Sequence, residues 1–190
     1  MTFKCSNPRL GVVDVSTVTS IAPGLANLPS VVLEPQLGEV VTGWDANLGG
    51  AEFMYLKAAG AITAGNVCEL AFSLASGFLT ITATPWTGTA ISGKPLAVAQ
   101  STMTTGQYGW FQVEGAAITT VNGTVTPGNP VYWQANGTVS NTGVASKQMV
   151  NAVAASAASV TIGQGSTAVV LTASQALIFL ERPFAQGAIT

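Results

Sequence analysis

The sequence predicts an all-β protein: a compact barrel or sandwich, jelly-roll-like or β-tulip-like, over residues 46–190, preceded by an extended N-terminal arm over 1–45. Three observations predict it. Short segments alternate in side-chain character with a period of two and end at turn residues at regular intervals, the pattern of strands in a barrel or sandwich. The clearest of them, Gln107 to Gly115 (QYGWFQVEG), sets Tyr108, Trp110, Gln112 and Glu114 against Gly109, Phe111 and Val113. Strand-forming residues then fall on both faces, as in a central strand. This stretch is echoed at Gln175 to Pro183 (QALIFLERP), so two related β units, 51–115 and 116–184, share one plan.

The arm comes first. Pro8, Pro23, Pro29 and Pro35 interrupt short apolar pieces, Val12 to Val18 and Ser30 to Pro35. Each proline removes a backbone donor and biases the residue before it toward extended geometry. Val12, Val13, Val31, Val32 and Leu33 gain by leaving water, which makes them the candidate partner-contact residues, suited to adding an edge strand to a neighbouring subunit.

In the first unit, a Gly49-Gly50 turn leads into a strand over Glu52 to Ala58. A Ser76-Gly77 turn precedes another over Gly77 to Thr84, and Pro85 with Gly88 to Gly93 marks a loop. In the second unit, Asn122-Gly123 and Asn136-Gly137 suit tight hairpins, because both residue types tolerate positive φ, and they bracket a strand at Pro130 to Ala135. Ser146 to Ser159 has the alanine content of a helix. Its AVAAS (Ala152 to Ser156) matches AVAQS (Ala97 to Ser101), however, and a strand is preferred, followed by a turn at Gly163 to Ser166 and then AVVLTAS. The pairing of units extends to GAITAGNV (Gly60 to Val67) and GTVTPGNP (Gly123 to Pro130), which share Gly60/Gly123, Thr63/Thr126, Gly65/Gly128 and Asn66/Asn129.

Composition narrows the function. Charged residues make up 7% of the chain, against about a quarter in an ordinary soluble protein, and the mean hydropathy is +0.46. With so little like-charge repulsion between copies, much of the surface is expected to be covered by partner subunits. The 6 Lys and Arg residues are scattered singly and form no phosphate-tracking stripe, so no nucleic acid is expected. No apolar run has the length of a membrane span, and MTFKCSNPRLG has no secretory apolar core, which predicts no membrane and synthesis in a cytoplasm. Cys5 and Cys68 are expected to remain thiols there.

There is no histidine, which removes the commonest general base and the commonest zinc ligand together. The acids Asp14, Glu34, Glu39, Asp45, Glu52, Glu69, Glu114 and Glu181 stand singly, so a two-carboxylate hydrolase site would have to be assembled by the fold. Gly88 to Lys94 (GTAISGK) matches the first seven positions of a phosphate-binding loop. Pro95 follows, with neither a hydroxyl for magnesium nor an N–H for phosphate, and the stretch reads as a loop. No catalytic, cofactor-binding or metal-ligating residue is assigned, and no cofactor is expected. The NGT triplets at Asn122 and Asn136 read as turns. Trp44, Trp86, Trp110 and Trp133 would stack on sugar rings if exposed, though aromatics on strand patterns usually serve a core or a subunit contact.

Three segments carry a family resemblance: LGEVVTGWDANLGGAEFMYLKAAGAITAGNV from Leu37, KPLAVAQSTMTTGQYGWFQVEG from Lys94, and the closing ALIFLERPF. Over residues 37–184 the chain resembles the decoration, or cement, proteins of tailed-bacteriophage heads. The resemblance implies a non-enzymatic protein on the outer capsid surface, made in a bacterial host's cytoplasm, bridging major capsid protein subunits against internal DNA pressure. It also implies a homo-oligomer, trimer favoured over dimer. The alternative is a carbohydrate- or receptor-binding module of a phage fibre or spike. A hydrolase with fold-assembled carboxylates is the third reading.

Overall fold

Strands account for nearly all the regular structure of the computed structural model, which describes residues 3–7, 10–20, 35–75, 78–88 and 93–187. The N-terminal stretch contributes β1 (Lys4–Asn7), β2 (Gly11–Val13) and β3 (Val18–Thr19). Two long hairpins follow, β4 (Val40–Asp45) with β5 (Gly49–Ala58) and β6 (Val67–Ala75) with β7 (Phe78–Pro85). β8 (Leu96–Ala99) then leads to β9 (Tyr108–Thr120). The second half holds β10 (Pro130–Ala135), β11 (Thr138–Ser140), β12 (Gln148–Ala154), the small pair β13 (Thr161–Ile162) and β14 (Val169–Val170), and β15 (Gln175–Ala185). A single turn of 3-10 helix, Gly165–Thr167, is the only helix among the described residues. The fold is therefore all-β, as the alternation predicts.

The pairings close into two rings. β5, β9, β8, β6 and β7 pair in a cycle that is antiparallel except where β7 returns alongside β5, Lys57 opposite Thr82 and Ala58 opposite Ala83. β9, β15, β12, β10 and β11 pair in a second cycle. A parallel bridge from Val121 to Val139 completes it, reinforced by the Asn122 N–H donating to the Val139 carbonyl at 3.0 Å. Element for element the rings correspond: hairpin β6–β7 with β10–β11, β8 with β12, and β9 with β15, while β9 opens the second ring as β5 opens the first.

The turns repeat too. Asn66 N–H donates to the Thr63 carbonyl at 3.0 Å ahead of β6, and Asn129 N–H to the Thr126 carbonyl at 3.3 Å ahead of β10. Gly65 and Gly128 both have φ of +84°, a backbone state that glycine enters without steric cost. Ahead of β9 and β15 the turn-closing residue is glutamine. Gln107 and Gln175 each donate their N–H to a threonine carbonyl, and their side-chain oxygens accept the Thr104 and Thr172 N–H at 2.7 and 3.2 Å.

Three cores result. Inside the first ring lie Leu56, Ile62, Cys68, Leu70, Met103 and Phe111, and inside the second Trp86, Leu96, Val131, Met149, Ile178 and Leu180. The third lies on the outer face of β5, β9 and β15, where Phe53, Tyr55, Trp110 and Leu177 are covered by Phe3, Cys5, Val13, Val15 and Leu171. Within each ring, closure removes the strand edges that would otherwise template association.

That third core explains a difference from the sequence reading of 1–45. The described part of the stretch lies on the chain's own sheet: β1 pairs with β4, Cys5 opposite Gly43, and β3 pairs with β9, Val18 opposite Gly109. Phe3 meets Phe53 edge-on with ring centroids 5.0 Å apart. The outer edge of β4 offers unpaired backbone groups close by in the chain, and pairing there satisfies them while covering Phe53. Residues 21–34 lie outside the described residues.

One other expectation changes. Asn136-Gly137 does form the tight hairpin, joining β10 to β11 with φ of 44° and 76°, the signature of a type I′ turn. Asn122-Gly123 instead lies in the connection from β9 to β10, which do not pair, because the end of β9 is flanked by β15 on one side and by Val139 of β11 on the other. The alanine-rich Ser146 to Ser159 contains β12 and no helix, since β10 and β15 supply its backbone partners.

Candidate interaction surfaces

Three of the acids that stand singly in the sequence meet on the sheet. Glu52 is opposite Glu114, and Glu114 opposite Glu181, on three adjacent strands. Directly opposed residues share a face. A positive-φ residue on β15, Arg182 (φ 48°), brings its guanidinium onto that face, paired with Glu52 and 3.5 Å from Glu114 Oε2. Like charges across a sheet repel, and one arginine between two carboxylates offsets that. The arrangement is an exposed ion-pair network in which the space between the carboxylates is taken by a cation. Among the described residues no group of His, Cys, Asp or Glu is placed to hold a metal ion.

Of the Gly88 to Lys94 loop, residues 89–92 lie outside the described residues. Lys94 pairs with Glu69 at 3.0 Å. The thiols of Cys5 and Cys68 are free and buried in different cores.

The tryptophans divide. Trp86 and Trp110 are core residues. Trp133 is half-buried, its Nε1 donating to the Trp86 carbonyl at 2.7 Å while Lys147 Nζ stands 4.0 Å above its ring. Trp44 is 57% exposed at the mouth of a groove of about 630 Å³. Of the five candidate partner-contact residues, Val12 is 91% exposed and Val13 is buried against Phe53's cluster, because neighbours on β2 alternate sides. Val31, Val32 and Leu33 lie outside the described residues.

An exposed apolar feature was not singled out from the sequence. β8 pairs with β6 only at Val67 to Glu69, and β5 with β7 only at Thr82 and Ala83. Beyond those points β6 and β7 pair solely with each other and run out from the first ring as a two-stranded ribbon. Leu74 opposes Leu79 and Phe72 opposes Ile81, so one face carries Phe72, Leu74 and Leu79, exposed by 55%, 76% and 58%. An apolar groove of about 160 Å³ at its base is lined by Met54, Leu70, Phe72, Leu96, Val113 and Pro183. The alternation Leu70, Phe72, Leu74 is visible in the sequence; that its far end overhangs the barrel is not.

Ring-shaped all-β architecture with extended apolar and polar surfaces is the class that the geometry defines. No protein-family model matches this chain, and no curated protein matches it. Among solved structures it is similar to the N base of the head fibre gp8.5 of bacteriophage phi29, with a TM-score of 0.44 and 15% sequence identity, over 70% of this chain and 95% of that one.

Proposed function

We propose that this chain is a structural decoration, or cement, protein of a tailed-bacteriophage head, which binds the outer capsid surface and stabilises contacts between major capsid protein subunits without catalysing a reaction. The resemblance over residues 37–184 suggests the class. The observation that carries attachment is the β6–β7 ribbon, with Phe72, Leu74 and Leu79 on one exposed face. Apolar side chains so grouped on an otherwise closed β body mark a protein-docking surface. Full burial of each contributes about 1.5–3 kcal/mol.

The 7% charge content suits a surface that spends its life against other subunits, and a homotrimer around a threefold position is the expected assembly. The experiment mixes undecorated capsids with the wild-type chain or with the Phe72→Ser/Leu74→Ser/Leu79→Ser variant. Wild type is expected to cosediment and to raise the temperature at which heads rupture, and the folded variant to do neither. Failure of the wild type to bind capsids overturns the function, whereas equal binding by the variant overturns only the ribbon's role. Native mass spectrometry checks the trimer.

A further inference from the structure

Trp44 lies in register between Lys4 on β1 and Gly50 on β5. More than half of its surface is exposed. The groove beside it is bordered by Lys4, Asp45, Asn47, Thr167 and Gln175, and its volume of about 630 Å³ is within the roughly 300–1,000 Å³ of small-molecule sites.

The rim is already built. Asp45 Oδ1 accepts the N–H groups of Asn47 and Leu48 at 2.8 and 3.2 Å. Asn47 Nδ2 donates to the Thr167 carbonyl at 2.7 Å, tying the β4–β5 turn to the loop between β13 and β14. The two loops touch so closely that a Cβ on Gly163 would run into the Asn47 side chain. A rim held in this way loses little freedom when a ligand arrives.

We infer that this groove binds a short neutral oligosaccharide, with Trp44 stacking on the C–H face of one pyranose ring and the rim taking its hydroxyls. An indole presents a negative π-face, and the C–H groups on one side of a pyranose are the complementary weakly positive surface. Sugar hydroxyls both donate and accept, and the rim offers both roles: the Lys4 ammonium as donor, the Asp45 carboxylate as acceptor, and the Thr167 hydroxyl, which donates to the Gln164 carbonyl at 3.4 Å, as a second acceptor. Gln175 Oε1 is committed to Thr172, which leaves its amide hydrogens as donors. One cation against one anion favours a neutral ligand over a phosphate backbone. A peptide strand finds no free edge here, because β4 is paired on both sides at Trp44.

The test is calorimetry and tryptophan fluorescence on the full chain with cellotriose, maltotriose and chitotriose. Saturable binding of at least one is expected, with a dissociation constant on the order of 1 mM or below. Trp44→Ala should weaken it by about tenfold or more with Tm unchanged, and Trp44→Phe by less. Lys4→Ala, which leaves the indole in place and removes the ammonium from the rim of the same groove, should also weaken binding. Absence of saturable binding by all three trisaccharides overturns the inference. So does wild-type affinity in Trp44→Ala or, should that variant fail to fold, in Lys4→Ala.

Discussion

Trp110 and Phe111 are adjacent on β9 and both fully buried, yet their rings occupy different cores: Trp110 lies outside the rings against Tyr55, 5.0 Å between centroids, and Phe111 lies inside the first ring. Both faces of one strand are thus core, which the period of two requires once two layers flank it. Each ring should cost about 3–5 kcal/mol on truncation to Ala, measured by denaturant unfolding. Trp110→Phe should cost much less, because the indole Nε1 has no hydrogen-bond partner and its removal relieves an unpaired buried donor. A loss from Trp110→Phe equal to that from Trp110→Ala would contradict this.

Gly115 is where β9 leaves the first ring for the second. Its φ is +89°, and a Cβ there would strike the Gly50 carbonyl and crowd Ala51. Gly115→Ala should therefore destabilise by about 2 kcal/mol or more. A Tm within a degree of wild type would show that the strand passes this point without the special conformation.

A chain beginning at Gly38 lacks Phe3, Cys5, Val13 and Val15, which cover Phe53 and Tyr55. Against the sequence expectation of a separable arm, its Tm should be lower by roughly 6–12 °C, the effect of about 3 kcal/mol at this chain length. Thermal melts decide; an unchanged Tm would make the N-terminal strands a leader.

Burial first, and the nearby Asp14 carboxylate second, push the Cys5 thiol up to about 11. Burial, with Glu69 adding, pushes Cys68 up as well. An unfolded thiol ionises near 8.5, so above that pH the unfolded chain loses protons that the folded one keeps. Stability is then full below about pH 8.5 and falls as pH rises toward 11. Urea midpoints at pH 7.5 and 10 should show the fall, smaller in Cys5→Ala relative to its own pH 7.5 value. A thiol-reactive dye at pH 8 should label the native chain negligibly and the unfolded chain twice; rapid labelling of one native thiol would contradict the burial.

Period-two alternation and turn dipeptides determined the all-β class and the strands at 52–58, 107–115, 130–135 and 175–183, because strand periodicity and positive-φ turns are local properties written residue by residue. Ring closure was decided only in three dimensions. Nothing local tells β7 to return parallel beside β5, or Val121 to bridge Val139. The same holds for the candidate surfaces. Cys5 and Val13 read as arm residues until β4's free edge lay beside them, and Val12 differs from Val13 by the side of β2 it occupies. Phe72, Leu74 and Leu79 look like any core-facing alternation, and Trp44 like Trp110. Whether such a residue is core or surface depends on where neighbouring strands end, and strand ends are set by pairing between segments far apart in the chain.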